Sequence, residues 1–283
     1  MASGFLALFD DIAALMDDVA VMTKVAGKKT AGILGDDLAV NAQKAMGFAS
    51  SRELPVLWEI TKGSFINKLI VLPIVFLLSY FYPPLVTWLL MAGGLYLAYE
   101  GAEKVIEYLF HHKSHHESEP KPLSKEEILA KEAKKIKSAI RTDLILSLEI
   151  VIIAMSAIKA DSFLEQAIAV TIVAFLATIG VYGIVALIVR MDDIGFYLIG
   201  TGTKIGEVVG KFLVAALPKV VKALGYIGTF AMLLVAGSIY THHIEALHHL
   251  AQKVPGWVAD LVVGLVIGLA MVGIVKVIER VKN

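Results

Sequence analysis

Long apolar stretches alternate with charged segments along this chain, and they predict six membrane-spanning helices in three pairs. The first pair is 65–82 and 85–103, the second is 144–158 and 163–189, and the third is 226–240 and 257–275. Apolar runs of about 18 residues or more are typical of helices that cross a bilayer, and the run at 144–158 is short by that measure. The pattern predicts an all-α, polytopic integral membrane protein.

The segments outside these spans show helical amphipathicity. In residues 5–25 the apolar positions recur at three- and four-residue steps, with Asp10 and Asp17 on the opposite face. A helix that lies on anionic lipid carries a basic polar face, so this acidic one is expected to pack on protein or line an aqueous cavity. Residues 27–62 are polar and predict short helices and loops outside the bilayer core. Residues 195–222 are glycine-rich and amphipathic, which predicts a re-entrant or interfacial helix pair.

An internal repeat is predicted from a gapless alignment of residues 83–107 on 255–279, in which ten of 25 positions match. The pair Asp10–Asp11 has a counterpart in Asp192–Asp193. Because the two copies are offset by four spans, an even number, they share one orientation, as in parallel transporter repeats. The chain is therefore divided into five regions. They are a cytoplasmic amphipathic and loop region (1–62), a first membrane hairpin (63–110), a charged cytoplasmic loop (111–142), a second hairpin (143–190), and an amphipathic region with a third hairpin that repeats 10–110 (191–283).

Composition and charge narrow the class of protein. The chain is 57% hydrophobic and 18% charged, with no cysteine and a formal net charge of zero, and its mean hydropathy is +0.74. The balanced charge gives no reason to expect nucleic acid as a partner, and the missing cysteines exclude disulfides and thiolate metal sites. The lipid bilayer is the expected surrounding, and the degree of oligomerisation is left open.

Basic residues are concentrated on one side of the predicted spans. They precede the first span, follow the second and fourth, and end the chain, whereas the three intervening turns carry only Lys159 and Lys253. The segment before the first span contributes Lys24, Lys28, Lys29, Lys44, Arg52 and Lys62. Cytoplasmic loops are enriched in lysine and arginine, so both termini are predicted to be cytoplasmic.

Several segments resemble a known family. They are DDIA from Asp10, KKTAGILGDDLAVNAQ from Lys28, RELPV from Arg52 and KGSFINK from Lys62. The chain resembles, over essentially its whole length, the YedI-type family of bacterial inner-membrane proteins, a domain of unknown function. The resemblance implies a multi-pass protein of the bacterial plasma membrane and supplies no activity and no functional residues.

Enzyme motifs are missing from the sequence. Neither HExxH nor GxSxG occurs, and no paired nucleophile and base is visible, so neither an enzyme nor a cofactor is predicted. His242, Glu245 and His249 could share one helix face and hold Zn²⁺. The alternative is that they are solvated loop residues. A second histidine group, 111–116, ends the second span.

Paired aspartates and two intramembrane glutamates are the candidate ion or solute ligands. Asp10, Asp11, Asp192 and Asp193 offer hard oxygens that suit cations, although aspartate also favours helix starts. Glu100 and Glu149 fall inside predicted spans, where a carboxylate costs a few kcal/mol and marks a functional site by default. The alternative for each is a structural ion pair, for example between Glu100 and Lys104. Both glutamates are predicted near the cytoplasmic interface, facing one polar cavity.

Two functions follow from these residues. The first is transport or channelling of a cation or small charged solute through an acidic intramembrane site. The alternative is a non-transporting membrane scaffold or regulator whose segments 1–62 and 111–142 bind a cytoplasmic partner.

Overall fold

Nine helices of ten or more residues make up most of the described part of the chain in this computed structural model, which describes residues 2–30, 34–46, 48, 50–110, 125–158, 160, 162–247 and 254–282. The helices are α1 (Ala2–Thr30), α2 (Leu34–Ala45), α3 (Ser50–Phe81), α4 (Pro83–Phe110), α5 (Lys125–Ala157), α6 (Phe163–Val189), α7 (Met191–Gly200), α8 (Lys204–His243) and α9 (Gly256–Lys282). No strand occurs among the described residues.

Five of these helices, α3, α4, α6, α8 and α9, are long and apolar enough to cross a membrane. The predicted span 144–158 forms the second half of α5, whose 33 residues begin in the charged segment. Arg141, Asp143 and Glu149 fall within any window of span length there, so α5 does not meet the same criterion. The structure confirms an all-α polytopic membrane protein.

The bundle has two ends, which we define by the links between helices. The ends of α3, α5 and α8 and the starts of α4, α6 and α9 lie at one end, called the turn end, and the opposite end is called the loop end. Contacts between helices fix this arrangement: the rings of Phe76 and Phe163 are 5.9 Å apart, and the Tyr240 hydroxyl donates to the carbonyl oxygen of Met91 at 2.6 Å. At the turn end, Tyr80 and Phe81 are exposed, as expected for aromatic residues at a bilayer interface.

Small residues allow α8, α9 and α4 to approach closely. A side chain at Gly264 of α9 would overlap the backbone of Leu233, and one at Gly268 would overlap the backbone of Ala98. In lipid, where apolar surface alone does not drive association, such backbone proximity stabilises helix pairs. The sequence repeat predicts close approach at Gly101 and Gly273 as well. A Cβ at Gly101 would lie 2.9 Å from Leu233, whereas nothing lies within 4 Å of one at Gly273.

The hairpins that the repeat relates differ in their main contacts. α8 packs extensively against α9, whereas α3 packs chiefly on α5 and much less on α4. The internal repeat therefore stays a prediction from the sequence. In the amphipathic region, α7 folds back on the start of α8 through Gly202, whose φ of 68° lies in the left-handed region that glycine tolerates.

Helix α2 is packed inside the bundle. It contacts α5, α6 and α8, and seven of its 12 residues are buried. Three of these, Asp37, Asn41 and Lys44, follow one another at four- and three-residue steps and so share one face of the helix. Lys44, which the charge pattern counts among the basic residues outside the membrane, is 4% exposed. Polar residues of the segment that is predicted to lie outside the bilayer core thus form a polar stripe that is buried among the helices.

Candidate functional site

Asp143 on α5 is the centre of a buried polar cluster. Its carboxylate accepts hydrogen bonds from Ser64 (2.8 Å) and Asn67 (2.9 Å) of α3, and from Ser147 (3.3 Å) of its own helix. The hydroxyl of Tyr182 on α6 lies 3.0 Å from the same carboxylate. A buried charge is tolerated when several donors satisfy its lone pairs. Asp143 thus has the surroundings of a well-satisfied internal charge.

Lys68 on α3 supplies the positive charge of this cluster. Its ammonium donates to Ser147 at 2.8 Å and to Ser64 at 3.1 Å, and it lies 4.0 Å from Asp143 Oδ1. The side chains of Lys68 and Asp143 are each 2% exposed. An ionisable residue at this depth is expensive unless it is paired, so the two charges stabilise each other.

Asn41 joins α2 to the Asp143 cluster. Its amide donates to the carboxylate of Asp37 one turn earlier, and its oxygen lies 2.9 Å from the Tyr182 hydroxyl. Because that hydroxyl carries one proton, it donates to Asn41 or to Asp143 at any moment, but not to both. The contact couples the position of α2 to that of α5.

Glu149, one of the predicted site residues, lies further along α5 toward the turn end. It is 7% exposed, and its Oε2 has no hydrogen-bond partner in the described part of the chain. The residue lines a cavity of about 570 Å³. The polar and aromatic residues around it are Asp36, Ser238, His242, His243, Trp257 and Asp260. His242 and Trp257 are exposed, so the cavity leads from the surface at the turn end to a buried carboxylate.

Glu100 on α4 belongs to a second cavity, of about 450 Å³, at the loop end. Its carboxylate pairs with the Lys44 ammonium of α2 and accepts hydrogen bonds from Ser138 and Thr142 of α5, each at 2.9 Å. Lys104, which the sequence suggests as a partner for Glu100, lines the same cavity and donates to Gln43 at 3.0 Å. The residues at its mouth include Glu103, Glu107, Lys276 and Glu279.

The structure does not bring Glu100 and Glu149 into one site. Glu100 meets α5 at Ser138 and Thr142, and Glu149 is about two turns (roughly 10 Å) further along that helix. The two carboxylates line different cavities that open toward opposite ends of the bundle. The polar face of α2 lies between them, with Asp36 beside Glu149 and Lys44 beside Glu100.

Lys135, in the charged first half of α5, lies near the loop end. Its ammonium donates to the Met46 carbonyl at 2.5 Å and lies 4.2 Å from the centre of the Phe48 ring. Partial burial, followed by repulsion from Lys44, lowers the pKa of Lys135. These contacts hold Met46 and Phe48 against α5.

The aspartate pairs lie in different surroundings. Asp192 and Asp193 occupy the first turn of α7, where Asp193 forms an exposed ion pair with Arg190. The side chains of Asp10 and Asp11 lie outside the described residues.

The histidine group is only partly described. His242 is exposed, and its Nδ1 lies 2.8 Å from the Ser238 carbonyl oxygen. Glu245 is exposed, whereas His249 and the histidines of 111–116 lie outside the described residues. Within the described part of the chain, no group of three potential ligands could hold a metal ion.

Sequence reasoning missed the central cluster, although one signal was present. Lys68 lies three residues inside the predicted span 65–82, and a lysine inside a span marks an internal partner by the same argument that singles out glutamates. Asp143 directly precedes the predicted span 144–158 and therefore resembled a residue of the flanking loop. Nothing in the sequence relates Asn41 to Tyr182.

A bundle of apolar helices around buried ion pairs and two cavities defines a multi-pass α-helical membrane protein with a charged interior. The chain belongs to the family described as "Protein of unknown function (DUF808)", whose model matches residues 3–279. The coarser part of the sequence resemblance, an uncharacterised domain over nearly the whole chain, is thereby confirmed, and the match does not extend to the YedI name. No curated protein and no solved structure matches the chain.

Proposed function

We propose that this protein is a transporter or channel and not an enzyme, and that it moves a cation or small charged solute across the membrane through the Glu149 cavity. The observation that carries the proposal is the Oε2 atom of Glu149, which is buried, has no partner in the described part of the chain, and belongs to a residue lining a cavity of about 570 Å³.

The contrast with Asp143 explains why Glu149 is assigned to function. Asp143 accepts hydrogen bonds from three residues and has Lys68 as its counter-ion. A carboxylate kept only for stability is expected to be satisfied in this way, since an unpaired buried charge costs several kcal/mol. Glu149 instead has a buried oxygen without a described partner on a residue that lines a cavity, which suits a ligand that binds and is released.

The arrangement of the two cavities supports movement across the membrane. One leads from the turn end to Glu149, and the other leads from the loop end to Glu100. Between them lies α2, a 12-residue helix with Asp37, Asn41 and Lys44 on its polar face. Short, interrupted helices at the centre of a bundle form the substrate sites of many secondary transporters.

For location, we propose the bacterial inner membrane, with the loop end and both termini in the cytoplasm. The proposal follows from the lysine and arginine residues that flank the spans at the loop end. The division of the chain into five regions also stays a prediction, and both α3 and α5 continue across its boundaries.

Ion flux into proteoliposomes tests the function. The purified chain is reconstituted, and fluxes of H⁺, Na⁺, K⁺, Mg²⁺ and Ca²⁺ are followed with fluorescent indicators. Glu149→Gln is expected to lower the flux at least tenfold while leaving expression and the gel-filtration profile unchanged. Glu207→Gln, at an exposed carboxylate of α8, is the matched control and should retain it.

Two outcomes count against transport. If no cation moves faster than into protein-free liposomes, the non-transporting scaffold becomes the better assignment. If Glu149→Gln yields no folded protein, Glu149 has a structural role.

A further inference from the structure

We infer that the ligand of the Glu149 cavity is the proton, taken up by the unpartnered oxygen of Glu149 and delivered through the histidines at the turn end. The inference rests on the proposed function, which assigns the Glu149 cavity as the ligand site. It concerns proton binding, so it can be tested without measuring transport.

The charges that face Glu149 favour a neutral form. Helix α2 presents Asp36 to the cavity, while the neighbouring Asp37 accepts a hydrogen bond from Asn41; α9 contributes Asp260, and α4 lines the cavity with Leu90. Lys68 and Tyr182, from α3 and α6, are engaged with the Asp143 cluster, and α1 contributes no described residue to the lining. The described lining contains no lysine and no arginine. Nearby acids and a missing fixed cation both favour the neutral, protonated form of a buried carboxyl.

The donor set does not suit a metal ion. Hard cations such as Mg²⁺ and Ca²⁺ take six or more oxygen ligands, but no described group of three potential ligands converges here. Two other oxygens of the cavity are already engaged: Ser238 donates to the Val235 carbonyl at 3.1 Å, and Oδ1 of Asp260 accepts from Thr241 at 2.5 Å. Most of the remaining lining is apolar, including Ile152, Ile153 and Leu234. A proton needs one oxygen, and Glu149 offers one.

The two histidines at the mouth have the geometry of proton carriers. Nδ1 of His242 lies 2.8 Å from the Ser238 carbonyl oxygen, and Nδ1 of His243 lies 2.7 Å from that of Ile239. A carbonyl oxygen only accepts, so each Nδ1 carries the hydrogen and each neutral ring keeps a basic Nε2. Each ring can therefore bind a proton from solvent at Nε2 and release it toward the cavity.

The step that follows is a simple proton transfer. A proton leaves an imidazolium Nε2, passes through water, and binds Oε2 of Glu149. The imidazolium becomes neutral imidazole and the carboxylate becomes a neutral carboxylic acid, so charge is conserved. Release on the opposite side restores the carboxylate, and no oxidant or other reactant is required.

Infrared difference spectroscopy on the full chain in lipid nanodiscs tests the inference. A protonated carboxylic acid has a C=O stretching band that a carboxylate lacks, and a pH titration of the wild type should show one such band for Glu149. The band should be lost in Glu149→Gln and retained in Glu207→Gln. Labelling the wild type with ¹³C-glutamate should shift it, a measurement that needs no variant to fold.

Three results would overturn the inference. They are a titration without a carboxylic acid band, a band that ¹³C-glutamate leaves unshifted, and a band that Na⁺, K⁺, Mg²⁺ or Ca²⁺ removes from the wild type at constant pH. The last would show that a metal ion occupies the site. If the band behaves as expected but the protein moves no ion, proton binding is supported and transport is contradicted. A failure of this inference can therefore be distinguished from a failure of the proposed function.

Discussion

Removing the Lys68 ammonium should destabilise the protein far more than removing an exposed lysine of the same helix. Lys68→Met leaves Asp143 buried without its counter-ion, and breaking a buried pair in this way costs about 3–5 kcal/mol. Lys62, at 47% exposure, forms an ion pair with Glu59 of the preceding turn. Exposed pairs contribute about 0–1 kcal/mol, so Lys62→Met is the matched control.

The free energy of unfolding can be measured by SDS titration of each variant in mixed micelles. The double variant Lys68→Met with Asp143→Asn removes both charges, and it should be more stable than the sum of the single losses predicts. A coupling energy of about 1–3 kcal/mol is expected for residues that share one network. If Lys68→Met costs no more than Lys62→Met, or if the losses simply add, the pair does not stabilise the bundle.

Three further predictions concern topology, packing and charge. Single cysteines at Ser114, which lies outside the described residues, and at Ser162 should be labelled from opposite sides of the membrane; labelling from one side would refute the orientation. Gly264→Ala should destabilise the protein by about 1–3 kcal/mol, because the added Cβ would overlap the backbone of α8. Gly273→Ala should be tolerated, since nothing lies within 4 Å of a Cβ at that position. Equal thermal stability of the two variants would refute this packing. Because the pKa of Lys135 is lowered in the fold, the unfolded state binds more protons between that pKa and the ordinary value of about 10.4. Stability relative to Lys135→Met should therefore rise with pH across that window, and an unchanged difference would contradict the lowered pKa.

Hydropathy predicted the helical spans well because whether a segment can span a bilayer depends on the composition of that segment alone. The apolar runs 65–82 and 163–189 correspond closely to the second part of α3 and to α6. The position of α2 could not be predicted in the same way. Its polar residues are satisfied by partners distant in sequence, as Asn41 is by Tyr182 and Lys44 by Glu100. A window of local composition contains none of those partners, so a buried polar helix resembles an external one.

The intramembrane glutamates show a similar limit. The free-energy cost of a carboxylate in an apolar span can be predicted from its position alone. That cost does not indicate which residues offset it. Glu100 is offset by Lys44, Ser138 and Thr142, whereas Glu149 has an oxygen without a described partner. Only the three-dimensional contacts distinguish the ion pair from the open site. The same rule applied to Lys68 would have indicated the central cluster.

The aspartate pairs permit a last test, because the structure separates two explanations that the sequence leaves equal. Asp36 and Asp37 begin α2, and Asp192 and Asp193 begin α7, so all four can interact favourably with a helix dipole. Only Asp36 also lines the Glu149 cavity. Asp36→Asn and Asp192→Asn should therefore lose similar stability, about 0.3–1 kcal/mol each. The flux and the pH at which the Glu149 band appears should change in Asp36→Asn alone, since that variant removes a negative charge facing Glu149. If Asp192→Asn shifts the band as much as Asp36→Asn, the effect does not arise in the cavity. The interaction of aspartate with the helix dipole would then be enough to explain both pairs.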